Sequence, residues 1–237
     1  MTVTKAVVLA AGKGTRMGAL TQDVPKPMLP VQGKPLLEHV LDRLSQAGIR
    51  ECALITGYHR EMIEKHFAAY PMRLEFIHQA VINGTAGAAK LACGFAANDP
   101  FLLTYADIWC EPEDYRRVMQ PIETEPGTEA TLAVKYADDP FQGAAVYVKE
   151  GFIRNIIEKP PQGTSTTHWN SAGIYTYRPT IFEEIEKVKL SPRGEYEIPD
   201  AIEAMIKAGR RLRAVEIKGQ WRDIGRPEDL AWPASQI

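Results

Sequence analysis

The sequence predicts an α/β fold with a Rossmann-like, doubly wound, mainly parallel or mixed sheet and helices on both faces. Short apolar runs alternate with helical patterns through the first half of the 237 residues. The opening run, KAVVLA, is continuously apolar, as in a strand that is covered on both faces. This alternation implies right-handed crossovers between parallel strands.

The elements of the first half follow in order. The segment KPLLEHVLDRLSQAG has leucine and valine at helical spacing and stops at Gly48, a favourable helix end. After it we expect a strand at CALITG, a helix at REMIEKHFAAY, a strand at MRLEFIH, one small-residue helix at TAGAAKLACGFAAN and a buried strand at FLLTYAD. Ligands of such sheets bind beyond the carboxyl ends of the strands.

The second half changes character without an evident linker. Closely spaced runs at ATLAVKYA, GAAVYV, FIRNIIE and NSAGIYTYR predict antiparallel strands added to the sheet or lying over it. Amphipathic helices are expected at TIFEEIEKV and IPDAIEAMIKAG, a late strand at RLRAVEI and a last short helix at RPEDLAWPA. The segment PPQGTSTTH is predicted to be a mobile loop. We therefore expect one domain over residues 1–237.

Composition and charge exclude several classes of protein. The 28 basic and 30 acidic side chains give a net charge of −2, without the footprint of a nucleic-acid or anionic-membrane binder. No stretch approaches the ~20 apolar residues needed to cross a bilayer. Cys52, Cys93 and Cys110 are widely separated, which suits buried thiols better than a disulfide frame or a zinc site. We expect a soluble, cytoplasmic protein.

A loop rich in glycine and cations follows the first strand and reads LAAGKGTRMGALTQDVPKPMLP over residues 9–30. It does not match the dinucleotide fingerprint G-x-G-x-x-G, because Met17 occupies the position of the third glycine. It does not match a Walker A loop either, because Lys13 is followed by glycine. Both of these phosphate motifs are therefore excluded.

The residue types in this loop nonetheless suit a phosphate. Gly12 and Gly14 would let backbone N–H groups point inward, and Thr15 offers a hydroxyl. Arg16 brings a planar fork suited to bidentate contact, and Lys26, between two prolines, is a second fixed cation. The alternative is an ordinary glycine-rich turn with solvated Arg and Lys. The presence of both cations makes that alternative the weaker one.

Further segments, taken in chain order, complete a family pattern. After LAAGKGTRM come PKPMLPVQGKPLLEHVLDRLSQAGI, NGTAGAAKLA, the acid of FLLTYAD, IIEKPP, NSAGIYTY, RGEYEIPDAI and WRDIGRPEDL. Together they resemble the sugar-1-phosphate nucleotidylyltransferases, which include the thymidylyl- and uridylyltransferases of glucose 1-phosphate and the uridylyltransferase of N-acetylmuramate 1-phosphate. The resemblance covers nearly the whole chain and implies a fold of the nucleotide-diphospho-sugar transferase type.

The resemblance also implies an activity. Such enzymes use Mg²⁺ to transfer a nucleoside monophosphate from a nucleoside triphosphate to a sugar 1-phosphate, giving a nucleoside diphosphate sugar and pyrophosphate. We expect UTP or dTTP as the donor. Two alternatives stay open: a cytidylyltransferase for phosphocholine or another non-sugar phosphate, and a catalytically silent regulatory subunit that binds a sugar nucleotide. Silent relatives tend to lose some of the family's functional residues. This chain keeps all five that match, namely Arg16, Lys26, Asp107, Lys159 and Asp223.

Individual roles follow from the same resemblance. The catalytic residues would be Arg16, Lys26 and Asp107, and the Mg²⁺ ligands Asp107 and Asp223. In the nucleotide-binding half, residues 1–110, the nucleotide would contact Leu9, Ala10, Ala11, Gly12, Gly14, Thr15, Arg16, Lys26, Gln79, Gly84 and Thr85. In the sugar-binding and lid half, residues 111–237, the sugar phosphate would contact Glu158, Lys159, Asn170 and Gly173.

Some of these assignments have simpler alternatives. Asp107 also suits a turn at a strand end, and Asp223 also suits the cap of the last helix. Many relatives have glycine before the first metal acid, where this chain has Tyr105 and Ala106, so we expect a reshaped pocket there. A homo-oligomer is possible, and no sequence feature specifies one.

Overall fold

The computed structural model describes residues 2–236 and is built on a nine-stranded mixed sheet. The strands are β1 (Lys5–Ala10), β2 (Pro30–Val31), β3 (Lys34–Pro35), β4 (Glu51–Thr56), β5 (Arg73–His78), β6 (Phe101–Tyr105), β7 (Ile108–Cys110), β8 (Thr128–Tyr136), β9 (Ala144–Lys149), β10 (Phe152–Glu158), β11 (Trp169–Tyr177), β12 (Arg211–Glu216) and β13 (Trp221–Asp223). The large sheet has the order β5-β4-β1-β6-β11-β8-β12-β10-β9, and β2–β3 and β7–β13 form two small separate pairs.

The two halves of the chain contribute differently to this sheet. Strands β5, β4, β1 and β6 are parallel, which confirms the parallel sheet predicted for the first half. Strand β11 pairs antiparallel with both β6 and β8, and β10 pairs antiparallel with β9 and β12. Strand β12, in contrast, runs parallel to β8. The second half therefore extends the same sheet and does not form a separate layer over it.

Helices lie on both faces of the sheet. They are α1 (Leu36–Ala47), α2 (Arg60–His66), α3 (Thr85–Lys90), α4 (Cys93–Ala96), α5 (Pro112–Thr124), α6 (Ile181–Ile185) and α7 (Ile198–Lys207), with 3-10 segments at Thr15–Thr21, Lys26–Met28 and Pro227–Gln236. Successive residues of β1 alternate between two buried clusters, as the two-residue period of a strand requires. Helices α3, α4, α6 and α7 cover one cluster, and α1, α2 and α5 cover the other. The predicted doubly wound arrangement is confirmed.

One predicted helix needs correction, and another helix was missed. The single helix predicted at TAGAAKLACGFAAN is divided into α3 and α4, because the N–H groups of Leu91 and Ala92 bond three residues back and tighten the chain there. Helix α5 was not predicted at all. Its signals were Pro112 at the first helical position and two acids, Glu113 and Asp114, in the first turn.

The cysteines differ in burial. Cys52 and Cys110 are buried as expected, whereas Cys93 is exposed at the start of α4, which corrects the expectation for that residue. Within residues 2–236, no helix is long and apolar enough to span a bilayer. The single domain, the mobile loop, the cytoplasmic location and the oligomeric state stay predictions.

Candidate active site

Two adjoining cavities lie beyond the carboxyl ends of β1 and β6. The first, of about 310 Å³, is lined by every residue predicted to bind the nucleotide: Leu9, Ala10, Ala11, Gly12, Gly14, Thr15, Arg16, Lys26, Gln79, Gly84 and Thr85. The second, of about 420 Å³, is lined by Glu158, Lys159, Asn170 and Gly173, predicted for the sugar phosphate, and by Asp107 and Asp223, predicted for the metal. Arg16 and Asp107 line both cavities. The fold thus brings the whole predicted set together.

The glycine loop folds back from β1 onto Lys26. Gly14 has a φ of +64°, a left-handed conformation that favours glycine. Its carbonyl oxygen accepts hydrogen bonds from the Met17 N–H at 2.9 Å and from the Thr21 hydroxyl at 3.0 Å. A Cβ atom at Gly14 would lie only 2.9 Å from the Cβ of Lys26. Glycine at this position therefore lets the loop pass close to the lysine.

Lys26 is a buried cation with a carboxylate partner. It lies between Pro25 and Pro27, begins the short 3-10 segment Lys26–Met28 and is only 6% exposed. Its Nζ donates to Oδ2 of Asp107 at 2.5 Å. Because a charge held out of water needs a partner, this ion pair fixes the side chain in the first cavity. The fixed cation expected from the Pro-Lys-Pro sequence is present.

Asp107 and Asp223 are brought together by the small β7–β13 pair. Asp107 lies in the turn between β6 and β7, and Asp223 at the end of β13 is paired with Ile108. The N–H of Ile224 donates to the carbonyl oxygen of Asp107 at 2.9 Å, which ties the two segments at this point. Burial and the neighbouring Asp107 carboxylate raise the pKa of Asp223, while Lys26 acts in the opposite direction.

The two acids fit a magnesium ion. Among residues 2–236, no group donates to the buried Oδ1 of Asp223, so an acceptor in the cleft is left for a ligand. Residues 2–236 contain no group of three or more acid, His or Cys side chains that could hold a metal alone. Magnesium commonly takes one or two carboxylates together with substrate phosphate oxygens, which matches this pair.

Arg16 lies against the turn that follows Asp223. A Cβ atom at Gly225 would lie 3.1 Å from Nη1 of Arg16 and 3.4 Å from Oδ1 of Asp223. The bare glycine backbone thus leaves room for the guanidinium beside the acid. The arginine is otherwise exposed, so its fork is free to meet an anionic ligand at the junction of the two cavities.

The loop after β5 is preorganised around Gln79. This side chain is 4% exposed, and its Nε2 donates to Oδ1 of Asn83 at 3.1 Å and to the carbonyl oxygen of Gly84 at 3.4 Å. Both amide hydrogens therefore face the loop itself. Within residues 2–236 no group donates to its Oε1, which leaves the carboxamide oxygen as an acceptor for a ligand.

Backbone hydrogen bonds join the segment around Gly84 to Tyr196, and we call this pairing the seam between the two cavities. The N–H of Tyr196 donates to the Asn83 carbonyl at 2.8 Å, and the N–H of Ala86 donates to the Tyr196 carbonyl at 2.9 Å. Gly84 has a φ of +108°, and a Cβ atom there would lie 2.4 Å from the Tyr196 carbonyl oxygen. The hydroxyl of Thr85 accepts a hydrogen bond from the Ile198 N–H at 3.0 Å, so it is occupied in holding this seam.

The predicted sugar-phosphate residues surround the second cavity. Lys159 has a φ of +43°, its N–H donates to the Gly143 carbonyl at 2.7 Å, and its Nζ lies 3.9 Å from Oε1 of Glu158. Oδ1 of Asn170 is also buried, and no donor in the described part of the chain reaches it, so it is a second acceptor for a ligand. Gly173 has a φ of +71° and lies at the bulge of β11.

Tyr105 and Ala106, the two residues before Asp107, occupy different positions in the site. Tyr105 lines both cavities, and its ring is 3.0 Å from the place that a Cβ atom of Gly173 would occupy. Ala106 is buried, and its N–H donates to the Leu9 carbonyl at 3.1 Å. The tyrosine ring forms a wall common to both cavities, and the reshaped pocket stays a prediction.

Sequence reasoning missed an ionic network in the second cavity. Arg193 donates through Nη2 to Oε1 of Glu197 at 2.6 Å and to Oε1 of Glu158 at 3.2 Å. Glu197 is 4% exposed, and Glu195 lines both cavities. Burial and the Glu197 carboxylate raise the pKa of Glu158, against the opposing effect of Lys159 and Arg193. The available signal was the segment RGEYEIPDAI, which was noted without roles for its charged residues.

Curated relatives match almost all of this chain. It is 36% identical over 226 residues to the bifunctional protein GlmU of Methanocaldococcus jannaschii, covering 95% of this chain and 52% of GlmU. The chain thus spans about half the length of the GlmU relatives that it matches. It is also 36% identical over 230 residues to the UTP–glucose-1-phosphate uridylyltransferase AglF of Haloferax volcanii, covering 95% of this chain and 93% of AglF.

Solved structures and a family model agree with this match. A UDP-glucose pyrophosphorylase complexed with UDP-glucose shares the fold, with a TM-score of 0.89 at 23% identity over 99% of this chain and 98% of that chain. A putative glucose-1-phosphate thymidylyltransferase from Bacillus anthracis has a TM-score of 0.87 at 27% identity, covering 98% of this chain and 94% of its own. The family model described as nucleotidyl transferase matches residues 5–236. The chain therefore belongs to the nucleotidyl transferase family.

Proposed function

We propose that this protein is an enzyme that transfers a nucleoside monophosphate from a nucleoside triphosphate to a sugar 1-phosphate. The main support is that the residues expected for the two substrates line two adjoining cavities that share Arg16 and Asp107. AglF, which matches this chain over 93% of its own length, is by name a UTP–glucose-1-phosphate uridylyltransferase. That activity requires two such subsites side by side.

The reaction is an in-line displacement at phosphorus. A phosphate oxygen of the sugar 1-phosphate forms a bond to the α-phosphorus of the triphosphate. The bond from that phosphorus to the oxygen bridging to the β-phosphate breaks, and pyrophosphate leaves with the electron pair. Because two polyanions must meet and no protein covalent step is needed, catalysis is mostly positioning and electrostatic stabilisation.

The cations of the site divide this work. We assign Lys26 to the α-phosphate, because it is the buried cation of the first cavity. Arg16 lines both cavities and would bind the triphosphate and then the departing pyrophosphate. Lys159 would hold the phosphate of the sugar 1-phosphate in the second cavity, where Arg193 is the neighbouring cation. Lys26, Arg16 and Lys159 around one centre would offset the repulsion between the two anionic substrates.

We also propose that Asp107 and Asp223 hold Mg²⁺ together with phosphate oxygens. Bound there, the ion would neutralise charge that develops on the phosphate oxygens during transfer. The unpaired Oδ1 of Asp223 is the observation in favour of this role. In the absence of substrate, Lys26 pairs with Asp107 and balances its charge.

The base is proposed to be uracil or thymine. Because the amide hydrogens of Gln79 are used by Asn83 and Gly84, the group left toward a ligand is the Oε1 acceptor. Uracil and thymine carry an N–H at N3 that such an acceptor binds, whereas N3 of cytosine is itself an acceptor. An acceptor facing another acceptor is unfavourable, so CTP should be the poorer donor.

The decisive experiment is a matrix of nucleoside triphosphates against phosphate acceptors with Mg²⁺, measured by pyrophosphate release. We expect release with UTP or dTTP and at least one sugar 1-phosphate. The variant Asp107→Asn should fold and release no pyrophosphate, and its near-normal turnover would exclude the metal assignment. Release only with CTP and phosphocholine would support the non-sugar alternative. Binding of a sugar nucleotide with no release in any pair would support a regulatory subunit.

A further inference from the structure

Asp229, in the C-terminal 3-10 segment, has no role among the substrate contacts, yet its carboxylate is completely engaged. It is only 7% exposed. Oδ1 accepts hydrogen bonds from Nε and Nη2 of Arg222 at 3.0 and 2.6 Å. Oδ2 accepts hydrogen bonds from the backbone N–H groups of Gly225 and Arg226 at 3.0 and 2.8 Å. Two guanidinium N–H groups on one carboxylate oxygen and two backbone amides on the other give a rigid arrangement.

The partners of Asp229 lie on either side of Asp223. Arg222 immediately precedes Asp223, and Gly225 and Arg226 close the turn after it. On the opposite side, Asp223 is held by the β7–β13 pairing and by the bond from the Ile224 N–H to the Asp107 carbonyl. The backbone of Asp223 is therefore fixed from both directions, and Asp229 supplies one of them.

Asp229 also carries out the capping role that the sequence allowed for Asp223. The amide groups of the turn before the C-terminal segment are satisfied by Oδ2 of Asp229. Asp223 does not perform this task, and within residues 2–236 its buried Oδ1 has no donor. Two acids in one short segment thus have separate tasks: one satisfies the backbone, and the other faces the cleft.

The same contact reaches Arg16. The N–H of Gly225 donates to Asp229, and a Cβ atom at Gly225 would lie 3.1 Å from Nη1 of Arg16. A shift of the turn would move Gly225 toward or away from Arg16 at the same time as it moved Asp223. The acid and the cation that face the reacting phosphates are therefore supported by one carboxylate.

We propose that Asp229, through Arg222 and the amides of Gly225 and Arg226, is a positioning residue that holds Asp223 and Arg16 in place for catalysis. It touches neither substrate and acts through its neighbours. This inference rests on the proposed function, since Asp223 is taken there as a ligand of Mg²⁺ and Arg16 as the group that binds pyrophosphate. Outer-shell partners of metal ligands are typically worth about 10- to 100-fold in metal affinity or activity.

The test uses two variants and a matched control. Asp229→Asn keeps the shape of the side chain but loses its charge and one acceptor, and Arg222→Lys keeps the charge but loses the bidentate fork. Glu228→Gln changes an exposed acid next to Asp229 and serves as the control. For each protein, Mn²⁺ affinity is measured by electron paramagnetic resonance in the presence of a UTP analogue with a methylene group between the α- and β-phosphorus. This measurement requires no turnover.

We expect Mn²⁺ affinity to fall about tenfold or more in Asp229→Asn, by less in Arg222→Lys, and not at all in the control. The KM for pyrophosphate in the reverse reaction should rise in the same order, while the KM for the sugar 1-phosphate should stay within about twofold of the wild type. A lowered unfolding temperature with unchanged Mn²⁺ affinity would overturn the proposal. If Asp229→Asn does not fold, unchanged Mn²⁺ affinity in Arg222→Lys overturns it equally.

Failure of the proposed function gives a different result. A wild-type protein that binds Mn²⁺ and the analogue but releases no pyrophosphate with any substrate pair contradicts the activity. The Mn²⁺ affinities of the variants then still decide the role of Asp229. A wild-type protein that binds no Mn²⁺ in the presence of the analogue contradicts the metal assignment and this inference together.

Discussion

The two cavities are built from the chain in different ways. Much of the lining of the first comes from one short part of the chain at and just after the end of a parallel strand, residues 9–12 and 14–16. The second is formed by charged and polar side chains from segments far apart in sequence, among them Glu158, Asn170, Arg193 and Asp223. One subsite is therefore encoded locally, and the other depends on the finished tertiary structure.

The electrostatics of the cavities differ in the same sense. In the first, the cation Lys26 is paired with a single acid, Asp107. In the second, Arg193 lies between the carboxylates of Glu158 and Glu197, and burial together with the Glu197 carboxylate raises the pKa of Glu158. We therefore expect the function of the first cavity to be sensitive to the loss of one charge or to a change in its backbone. The properties of the second should depend on its network of several charges and on the pH.

The largest effect is expected at the buried cation of the first cavity. In Lys26→Met, Asp107 loses the ion pair that it makes with Lys26, and the proposed α-phosphate subsite loses a buried positive charge. Removing one preorganised electrostatic group at a reaction centre typically costs about 10²- to 10³-fold in kcat. We expect a fall of about a thousandfold, measured by pyrophosphate release at saturating substrates.

Lys13→Met is the matched control for this change, because Lys13 belongs to the same loop, is exposed and lines neither cavity. Its kcat should stay within about twofold of the wild type. Equal losses in the two variants would mean that the loop requires positive charge in general and not a cation at one fixed position. The contrast drawn between the two cavities would then be wrong.

The next effect tests the seam between the cavities. Gly84→Ala places a side chain on a residue with a φ of +108° and a ψ of 174°, a conformation open essentially to glycine alone. The new Cβ would lie 2.4 Å from the Tyr196 carbonyl oxygen and would separate the two segments. We expect a loss of about 3 kcal/mol in the free energy of unfolding, measured by urea denaturation.

Gly163→Ala separates backbone strain from this close approach. Gly163 also has a positive φ, +74°, but a Cβ atom there would meet nothing within 4 Å. Its cost should be about 1 kcal/mol, the strain of a left-handed alanine by itself. Similar losses at the two glycines would show that the Gly84–Tyr196 contact adds nothing to stability.

A smaller and more selective effect is expected in the second cavity. Arg193→Gln removes the charge that faces the sugar-phosphate subsite but leaves the first cavity intact. The KM for the sugar 1-phosphate should rise about tenfold, which corresponds to about 1.4 kcal/mol, while the KM for the nucleoside triphosphate changes by less than about twofold. Arg210→Gln, at an arginine outside both cavities, is the control. A rise in both KM values would show that the subsites are not separable.

The difference between the cavities also explains what the sequence alone could predict. The glycine loop with Arg16 and Lys26 directly follows β1 in the sequence, so residue type and spacing were sufficient to predict a loop suited to phosphate. The parallel half of the sheet was predictable for the same reason, since each strand and helix has its own apolar pattern. Asp107 and Asp223 were named through a family resemblance, and their meeting depends on the β7–β13 pairing, which no local pattern indicates.

The missed features depend on contacts that residue type and spacing do not reveal. Arg193 and Glu197 read locally as a polar turn before a helix, and the hydrogen bonds of Arg193 to Glu158 and Glu197 make them part of the site. Asp229 reads as one more acid at a helix start, and its value comes from the backbone groups that it holds. The split between α3 and α4 was missed because a run of small residues has high helix propensity, and propensity does not report where tertiary contacts bend the chain.

The smallest effect concerns the pH dependence of stability and tests the network directly. Burial and the Glu197 carboxylate raise the pKa of Glu158 above the ordinary value of 4.5, so the folded protein keeps this proton to a higher pH than the unfolded chain does. The contribution is favourable below the ordinary value and is lost as the pH rises through the raised value. In Glu158→Gln this loss is absent.

The stability of Glu158→Gln relative to the wild type should therefore increase as the pH rises from about 4.5 and level off above the raised pKa, by an amount on the order of 1 kcal/mol or less. Urea unfolding at several pH values measures it, with Glu113→Gln, an exposed acid outside both cavities, as the control. A difference that falls with pH would mean that Arg193 and Lys159 outweigh burial and the neighbouring acid. The second cavity would then favour the ionised carboxylate, and its charge balance would resemble that of the Lys26–Asp107 pair in the first.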